Sequence, residues 1–245
     1  MTTAAFDTLA ARYDELWTES PAGRAQRELV WRELDPRFHP GQRILDIGCG
    51  TGADAAHFAA RGVDVEACDA SPAMVARAAA RGGFQTRLLR IEELSALDGP
   101  YDGALSNFGA LNCVENLRSI ATDLAPVIRR GGTLALCTLG RFCAWEMAHY
   151  AAHGKFQKAW RRVPGMAPSS LGITVRYPTV SQLAAAFHPE FTLQVWLGVG
   201  VVTPPSYVQL PARVTRWCGA ADRRLARVPL LRAAADHRLL IFLRA

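Results

Sequence analysis

A glycine-dense stretch after a short apolar segment contains the residue types that most directly suggest chemistry. It reads ILDIGCGTGA over residues 44–53 and places Asp46 two residues before Gly48, with Gly50 and Gly52 following. Glycines let the backbone turn sharply and let a ligand approach where a Cβ atom would collide. A carboxylate beside such a turn attracts a cation, such as a ligand's ammonium group, and repels an anion. The stretch therefore predicts a strand-to-helix turn that binds a ligand.

Two classes of ligand fit this turn. Gly48, Gly50 and Ala53 satisfy the G-x-G-x-x-A fingerprint of dinucleotide-binding proteins, and Asp69 lies about 20 residues further on, where an acid binds a ribose diol. This interpretation predicts an NAD-dependent oxidoreductase. Asp46 favours the other class, because its carboxylate would repel a pyrophosphate but attract the ammonium of S-adenosylmethionine. Two predicted helices also precede the turn, where they could cover the ligand.

Longer segments resemble a known family. ILDIGCGTG resembles the first motif of the class I S-adenosylmethionine-dependent methyltransferases, and VEACDASPAMV resembles the second motif of that superfamily. The resemblance extends over roughly residues 40–140. It implies a doubly wound α/β fold with a mostly parallel seven-stranded sheet, and methyl transfer from S-adenosylmethionine with release of S-adenosylhomocysteine. FDTLAARYDELW is similar to the first helix of many small-molecule members, in which a tyrosine, here Tyr13, reaches the cofactor.

The resemblance implies a role for each matching residue. Asp46 and the backbone at Gly48 and Gly50 would hold the amino-acid end of the cofactor. Asp69 would accept hydrogen bonds from both ribose hydroxyls. Four further residues would contact the rest of the cofactor: Ala70, Met74 and Ile91 at the adenine, and Asn107 beneath the sulfonium.

The loop after the third predicted strand departs from the family pattern. It commonly reads D-x-x-x-L, with the acid bonding the adenine amino group, but here it reads RIEEL, with Arg90 in the place of the acid. Glu92 is the alternative partner for the adenine. The departure also leaves open a non-catalytic protein that kept the fold and binds a cofactor or a partner.

Strand-like and helix-like segments alternate along most of the chain, which predicts parallel βαβ units. Apolar residues at helical spacing predict helices at 3–17 and 22–34, the second capped by Ser20, and a further helix over 115–130. The alternation stops after residue 141, in a segment rich in aromatic residues, histidine, proline and glycine. We expect one methyltransferase domain over 1–245, divided into a helical cover (1–36), a cofactor-binding core (40–140), an acceptor lid (141–178) and a C-terminal part of the sheet with a basic helix (179–245).

The predicted lid holds the candidates for acceptor chemistry. His149 and His153 lie four residues apart and would share one face of a helix, either as a base with its orienting partner or as structural residues. Tyr177 is a further catalytic candidate. Methyl transfer needs a base only where the nucleophile must lose a proton, so alignment of the acceptor alone can suffice. Two histidines without a nearby third ligand, and without a cysteine cluster, predict no metal site.

Two features narrow the acceptor. SNFGALNCV, after the fourth predicted strand, lacks the N/D-P-P-Y/F sequence of methyltransferases that act on DNA bases or glutamine. Residues 1–212 carry 20 basic and 20 acidic residues, a neutral balance that speaks against a nucleic-acid partner. We therefore expect a small or medium-sized organic acceptor, methylated on oxygen or nitrogen.

Positive charge is concentrated in the C-terminal part of the chain. From residue 213 onward there are eight arginines and two acids, which supply the net charge of +6. A helix predicted over 212–227 would carry arginines on one side and apolar residues, among them Val214 and Trp217, on the other. The apolar side could pack on the core, or the helix could contact an anionic membrane or an acidic acceptor.

The composition indicates a globular, cytoplasmic protein. Half of the residues are apolar and 20% are charged, and no apolar run reaches the length of about 18 residues that a membrane span needs. The N-terminal segment contains acids and lacks the apolar region of a signal peptide. Six scattered cysteines without a C-x-x-C pair are typical of free thiols in a reducing cytoplasm.

Overall fold

A mostly parallel β-sheet forms the centre of the molecule, whose computed structural model describes residues 2–245. Within these residues the strands are, in chain order, β1 (Arg43–Ile47), β2 (Asp64–Asp69), β3 (Gln85–Leu88), β4 (Tyr101–Ser106), β5 (Ile128–Leu139), β6 (Met166–Pro168), β7 (Thr174–Arg176), β8 (Phe191–Val199) and β9 (His237–Arg244). In this described part of the chain, seven strands form one sheet in the order β3-β2-β1-β4-β5-β9-β8, and β6 and β7 form a separate hairpin. Neighbouring strands from β3 to β5 run parallel, whereas β9 runs antiparallel to β5 and β8. The predicted doubly wound, mostly parallel sheet is confirmed.

Helices pack on both faces of this sheet. Over residues 2–245 they are α1 (Thr2–Tyr13), α2 (Pro21–Leu34), α3 (Ala53–Ala59), α4 (Pro72–Arg81), α5 (Leu117–Val127), α6 (Ala144–Ala152), α7 (Phe156–Ala159), α8 (Val180–Phe187), α9 (Ala212–Leu225) and α10 (Pro229–Ala233). The predicted cap of α2 is present, because Ser20 Oγ accepts the N–H of Gly23 at 3.0 Å. Ser71 caps α4 in the same way, by accepting the N–H of Met74 at 3.1 Å. Among the described residues, no helix has both the length and the apolar character needed to cross a membrane.

Apolar side chains alternate along the strands between two cores. Leu45 and Ile47 of β1 belong to the core beneath α5 and α8, whereas Ile44 belongs to the core beneath α2 and α3. Successive residues of a strand point to opposite faces, so Asp46 projects on the same side as Ile44. The sheet therefore places this acid on the side of α2 and α3, at the carboxyl end of β1.

One predicted helix needs correction. The helix predicted over 115–130 ends at Val127, and β5 begins at Ile128. Ile128 is buried and pairs with Tyr101 of β4, so sheet pairing takes over where the apolar spacing alone would continue the helix.

Candidate functional site

A cavity of about 290 Å³ lies at the carboxyl ends of β1, β2 and β4. Open α/β sheets bind their ligands at this edge. The wall contains every predicted cofactor-binding residue except Asp46: Tyr13, Gly48, Gly50, Asp69, Ala70, Met74, Ile91, Glu92 and Asn107. Arg90, which stands where the family pattern has an acid, lies in the same wall. The fold thus brings together residues that are far apart in the sequence.

The turn between β1 and α3 has a backbone that requires glycine. Gly48, Gly50 and Gly52 have φ angles of 67°, 55° and 77°, in the left-handed region. A Cβ atom at Gly48 would lie 2.4 Å from the Cβ of Ala110, and one at Gly52 would lie 2.7 Å from the Cζ of Phe84. The glycines therefore serve both the sharp turn and the close approach of neighbouring elements.

Asp69, the last residue of β2, joins the glycine turn to the start of α4. Its two carboxylate oxygens accept the N–H groups of Gly50 and Ser71, each at 2.9 Å. Burial raises the pKa of Asp69, and these N–H groups oppose the rise. A carboxylate can accept further hydrogen bonds through its remaining lone pairs, so Asp69 can still bind hydroxyl groups in the cavity.

Asp46 lies beneath the glycine turn and is not part of the cavity wall. It is 1% exposed, and its Oδ2 has no hydrogen-bond partner among the described residues. Burial, followed by the charge of Asp54, raises the pKa of Asp46 well above its usual range, while Arg27 opposes the rise. β1 directs this side chain towards α2 and α3, so Asp46 lies just outside the wall, and its contact with the cofactor stays a prediction.

Asn107 and Phe108, the two residues that follow β4, contribute to the cavity wall. Asn107 is 8% exposed, and its Oδ1 and Nδ2 atoms have no partner among residues 2–245. Phe108 has a φ of 55°, which non-glycine residues rarely adopt. Its ring centroid lies 4.5 Å from that of Trp17 and 4.8 Å from the guanidinium carbon of Arg27. This packing holds a strained backbone conformation next to the Asn107 amide.

Polar contacts fasten the N-terminal helix beside the cavity. Asp7 accepts the hydroxyl hydrogen of Ser71 at 2.5 Å. One residue after α1, Asp14 accepts the hydroxyl hydrogen of Thr51 at 2.6 Å and pairs with Arg81 at 2.7 Å. These contacts tie the predicted helical cover to α4 and to the glycine turn, and they place aromatic residues of α1 in the wall.

The β6–β7 hairpin supplies a mostly apolar part of the wall. Its residues in the wall are Ser169, Leu171, Ile173 and Val175. Asn112, which is fully buried, fixes this hairpin to the sheet. Its Nδ2 donates to the carbonyl of Arg176 at 2.5 Å, and its Oδ1 accepts the N–H of Leu139 at 2.9 Å. Within the predicted lid, the hairpin is therefore the part that borders the cavity.

The three predicted catalytic candidates do not line the cavity. His149 and His153 share one face of α6, with ring centroids 4.6 Å apart, and Tyr207 packs against His149. Tyr177 is buried, with its ring centroid 5.5 Å from the guanidinium carbon of Arg162. The expected position of these residues beside an acceptor is corrected, because the part of the predicted lid that lines the cavity is the β6–β7 hairpin and not α6.

A buried ionic network joins α6 to the start of β9. Glu146 is 1% exposed and pairs with Arg161 at 2.8 Å and with Arg162 at 2.6 Å. Arg162 also pairs with Asp236 at 3.0 Å. Burial opposes the ionisation of Glu146, but hydrogen bonds from the two arginines outweigh it and lower its pKa. Burial likewise opposes the ionisation of Asp236, whose pKa is lowered by His237 and Arg162.

Comparison with known proteins shows that part of the chain is similar to methyltransferases. A family model described as a methyltransferase domain matches residues 44–132, the span that contains the glycine turn and Asp69. A demethylmenaquinone methyltransferase of Parafrankia sp. is 33% identical over 162 residues, which cover 56% of this chain and 62% of that relative. These matches are consistent with the class I S-adenosylmethionine-dependent methyltransferase superfamily that the motifs predict. They give no support to the NAD-dependent alternative.

Other methyltransferases share less sequence identity with this chain, or only its fold. A malonyl-[acyl-carrier protein] O-methyltransferase of Serratia marcescens is 30% identical over 66% of this chain and 58% of that relative. The chain thus spans about three fifths of the length of either curated relative. The CcbJ methyltransferase of Streptomyces caelestis has the same fold, with a TM-score of 0.65 and 15% identity over 100% of this chain and 99% of that chain.

Several residues that shape the cavity are missing from the sequence predictions. Asp7 and Asp14 lie seven residues apart, two turns along one helix face, and this spacing is the signal that could have pointed to their shared role. Phe108 offers no comparable signal, because its left-handed backbone depends on packing against Trp17 and Arg27.

Proposed function

We propose that the protein transfers a methyl group from S-adenosylmethionine to an oxygen or nitrogen of a small or medium-sized organic acceptor, with release of S-adenosylhomocysteine. The observation that carries this proposal is the cavity at the carboxyl edge of the sheet, which gathers the residues assigned to the cofactor by the superfamily's motifs. The family match over residues 44–132 supports the same reaction class.

The residues present fit the amino-acid and ribose parts of the cofactor. The Asp46 Oδ2 atom is buried without a partner and can accept a hydrogen bond from the ammonium group. Gly48 and Gly50 let the ligand approach the backbone. Asp69 can accept the two ribose hydroxyls, as the motif implies. A pyrophosphate would instead meet the repulsion of two acids.

The residues assigned to the adenine also fit it. Met74 and Ile91 offer apolar atoms to the ring, and Glu92 can accept a hydrogen bond from the amino group. Arg90 pairs with Glu92, with 3.6 Å between Nε and Oε2. The arginine that replaces the family's acid can thus orient another acid two residues later, which offers a physical reason why the adenine contact moves along this loop.

The chain's own contribution to the reaction is alignment of the acceptor and exclusion of water. The bound cofactor supplies a methyl group that is already activated by the positive sulfur. The N-terminal helix and the β6–β7 hairpin both border the cavity and can shield it from solvent. The Asn107 amide, whose polar atoms have no partner among the described residues, can orient a hydroxyl or an amine by hydrogen bonding.

The wall favours an acceptor with a compact, apolar body. Apolar side chains line the part of the cavity that the cofactor motifs do not assign: Phe108, Leu139, Leu171, Ile173 and Val175. The whole cavity of about 290 Å³, which includes the space assigned to the cofactor, lies just below the range of roughly 300–1,000 Å³ for small-molecule pockets, so little room is left for the acceptor. The apolar wall fits an uncharged acceptor better than a charged acyl group, such as the malonyl group for which one relative is named.

Calorimetric titration with S-adenosylhomocysteine tests the cofactor part of this proposal, with NAD as the competing ligand. We expect saturable binding of S-adenosylhomocysteine and no binding of NAD. Asp69→Ala should weaken binding by about tenfold or more, because the ribose hydroxyls lose a charged acceptor. Asp64→Ala, at the exposed start of the same strand, is the matched control and should bind like the wild type.

The outcome of this titration distinguishes the methyltransferase proposal from its two alternatives. Binding of NAD alone would overturn the methyltransferase proposal. If neither ligand binds to protein that melts cooperatively and carries no co-purified ligand, the non-catalytic interpretation takes its place. If S-adenosylhomocysteine binds as expected, a screen of apolar hydroxyl and amine acceptors for methylation follows, and failure across both classes would contradict the proposed acceptor.

A further inference from the structure

The buried face of α9 is not the face that the sequence favours. Its buried residues are small or polar: Thr215, Cys218, Gly219, Asp222 and, just beyond the helix, Ala226. Val214 and Trp217 are instead exposed, Trp217 by 78%. The apolar side predicted for this helix is thus only partly packed on the core, because Cys218 is buried and Leu225 half-buried whereas Val214 and Trp217 are not. The reason is the close approach of α2, since a Cβ at Gly219 would lie 3.2 Å from the Cβ of Ala25.

Arginines flank the exposed tryptophan. Arg213 and Arg224 lie four residues before and seven residues after Trp217, which puts all three on one face of the helix. Within the described residues, the side chains of Arg213, Arg216 and Arg224 form no ion pair or hydrogen bond. Arg227, in contrast, pairs with Glu33 at 2.6 Å. The surface therefore carries unpaired positive charge beside an exposed aromatic ring.

The next helix along the chain, α10, adds exposed apolar residues. Val228, Leu230 and Leu231 are all exposed, Leu230 by 86%. Leucine at that exposure on a helix of the folded chain has no packing role, so its apolar area stays in contact with water. We call the exposed residues Arg213, Val214, Arg216, Trp217, Arg224, Val228, Leu230 and Leu231 the α9–α10 surface.

We propose that the α9–α10 surface binds the face of an anionic lipid membrane. Interfacial helices combine basic residues with tryptophan and leucine, which insert at the level of the headgroups while the arginines contact lipid phosphates. Charge complementarity favours an anionic membrane over other partners of this surface. A symmetric second copy would set arginines against arginines, whereas a nucleic acid would leave the leucines in water.

Vesicle co-sedimentation of the full-length protein tests the proposal. We expect binding to vesicles that contain phosphatidylglycerol, little binding to pure phosphatidylcholine, and weaker binding at high salt. The double variant Trp217→Ser/Leu230→Ser and the charge reversal Arg213→Glu/Arg224→Glu should each reduce the partition coefficient about tenfold or more. All four side chains are exposed, so the variants should melt like the wild type.

Matched controls come from exposed residues elsewhere on the molecule. Leu88, which is 56% exposed on β3, lies at the edge of the sheet opposite β8, and Arg130 is exposed on β5. Leu88→Ser and Arg130→Glu should leave vesicle binding unchanged. Trp217→Phe should keep binding but lose part of the fluorescence quenching by brominated lipids, which places this side chain in the membrane.

Three results would overturn the proposal. The first is equal binding to both kinds of vesicle or to none. The second is equal loss in the surface variants and the controls. The third is a wild-type protein that binds no vesicles but forms an oligomer, which the double variant Trp217→Ser/Leu230→Ser dissociates. That result would assign the surface to a second copy of the chain. Because the measurement is binding and not methylation, it stands or fails independently of the proposed reaction.

Discussion

Two aspartates at the carboxyl edge of the sheet are prepared for a ligand in different ways. Asp69 is held by backbone N–H groups and needs no ligand to be satisfied. Asp46 is buried with an unpartnered oxygen, and its pKa is raised by burial and then by Asp54. A buried carboxylate oxygen without a partner lowers stability, and an ammonium group can supply that partner. We therefore propose that Asp46 strengthens ligand binding and lowers the stability of the free protein.

Asp46→Asn should separate these two effects. Because the pKa of Asp46 is raised in the folded state, its ionised form lowers the free energy of unfolding at neutral pH. We expect the variant to melt at the wild-type temperature or above it without ligand. Its affinity for S-adenosylhomocysteine should fall roughly tenfold to a hundredfold, since a charge-assisted hydrogen bond is lost. Thermal melting and calorimetry measure both quantities.

The pH dependence of binding gives the control for this variant. Below its raised pKa, free Asp46 is protonated and attracts the ammonium group less, so the affinity of the wild type should decrease as the pH falls from neutral. Asp46→Asn cannot titrate at this position and should show a flatter profile. A variant that melts lower than the wild type, with unchanged affinity, would contradict the assignment of Asp46 to the ammonium group.

At the scale of elements, the glycine turn is where β1, α3 and the loop after β4 meet. Gly48 combines a positive φ with a close approach, because its Cβ would meet Ala110 at 2.4 Å. Gly41 has a similar φ of 82°, but no atom lies within 4 Å of its Cβ position. Substitution of Gly41 therefore tests backbone strain alone, whereas substitution of Gly48 tests backbone strain together with crowding by neighbouring elements.

Alanine at these two positions should give different losses. Gly41→Ala should cost about 1–2 kcal/mol of stability from the left-handed conformation alone. Gly48→Ala should cost roughly 1–3 kcal/mol more, because the loop after β4 must move away, and it should also weaken the binding of S-adenosylhomocysteine. Urea unfolding and calorimetry measure the two effects. Equal stability losses, with equal affinities, would mean that the loop after β4 does not depend on the turn.

The parts of the fold that could be predicted depend on short stretches of sequence. The Ser20 cap acts on Gly23 three residues away, and the glycine turn is encoded within ten residues. The exposed face of α9 could not be predicted, because the fit of Gly219 against Ala25 joins helices far apart in the chain. The position of the hairpin beside the cavity could not be predicted for the same reason, because Asn112, which holds it, lies far away in the sequence.

At the scale of the whole molecule, the network of Glu146, Arg161, Arg162 and Asp236 fastens the predicted lid to the last strand of the sheet. Glu146→Ala should cost about 3–5 kcal/mol, because Arg162 keeps only one of its two buried carboxylate partners. Glu115→Ala is the matched control. Glu115 pairs with Arg176 while 87% of its side chain is exposed, so its loss should cost less than about 1 kcal/mol.

Acid provides the second test of this network. The pKa values of Glu146 and Asp236 are lowered in the folded state, so their stabilisation is present above their ordinary values near pH 4 and is lost as the pH falls through the lowered values. The difference in unfolding free energy between wild type and Glu146→Ala should therefore shrink below about pH 4. A difference that stays constant in acid, or that matches Glu115→Ala at neutral pH, would show that packing and not charge joins the lid to the sheet.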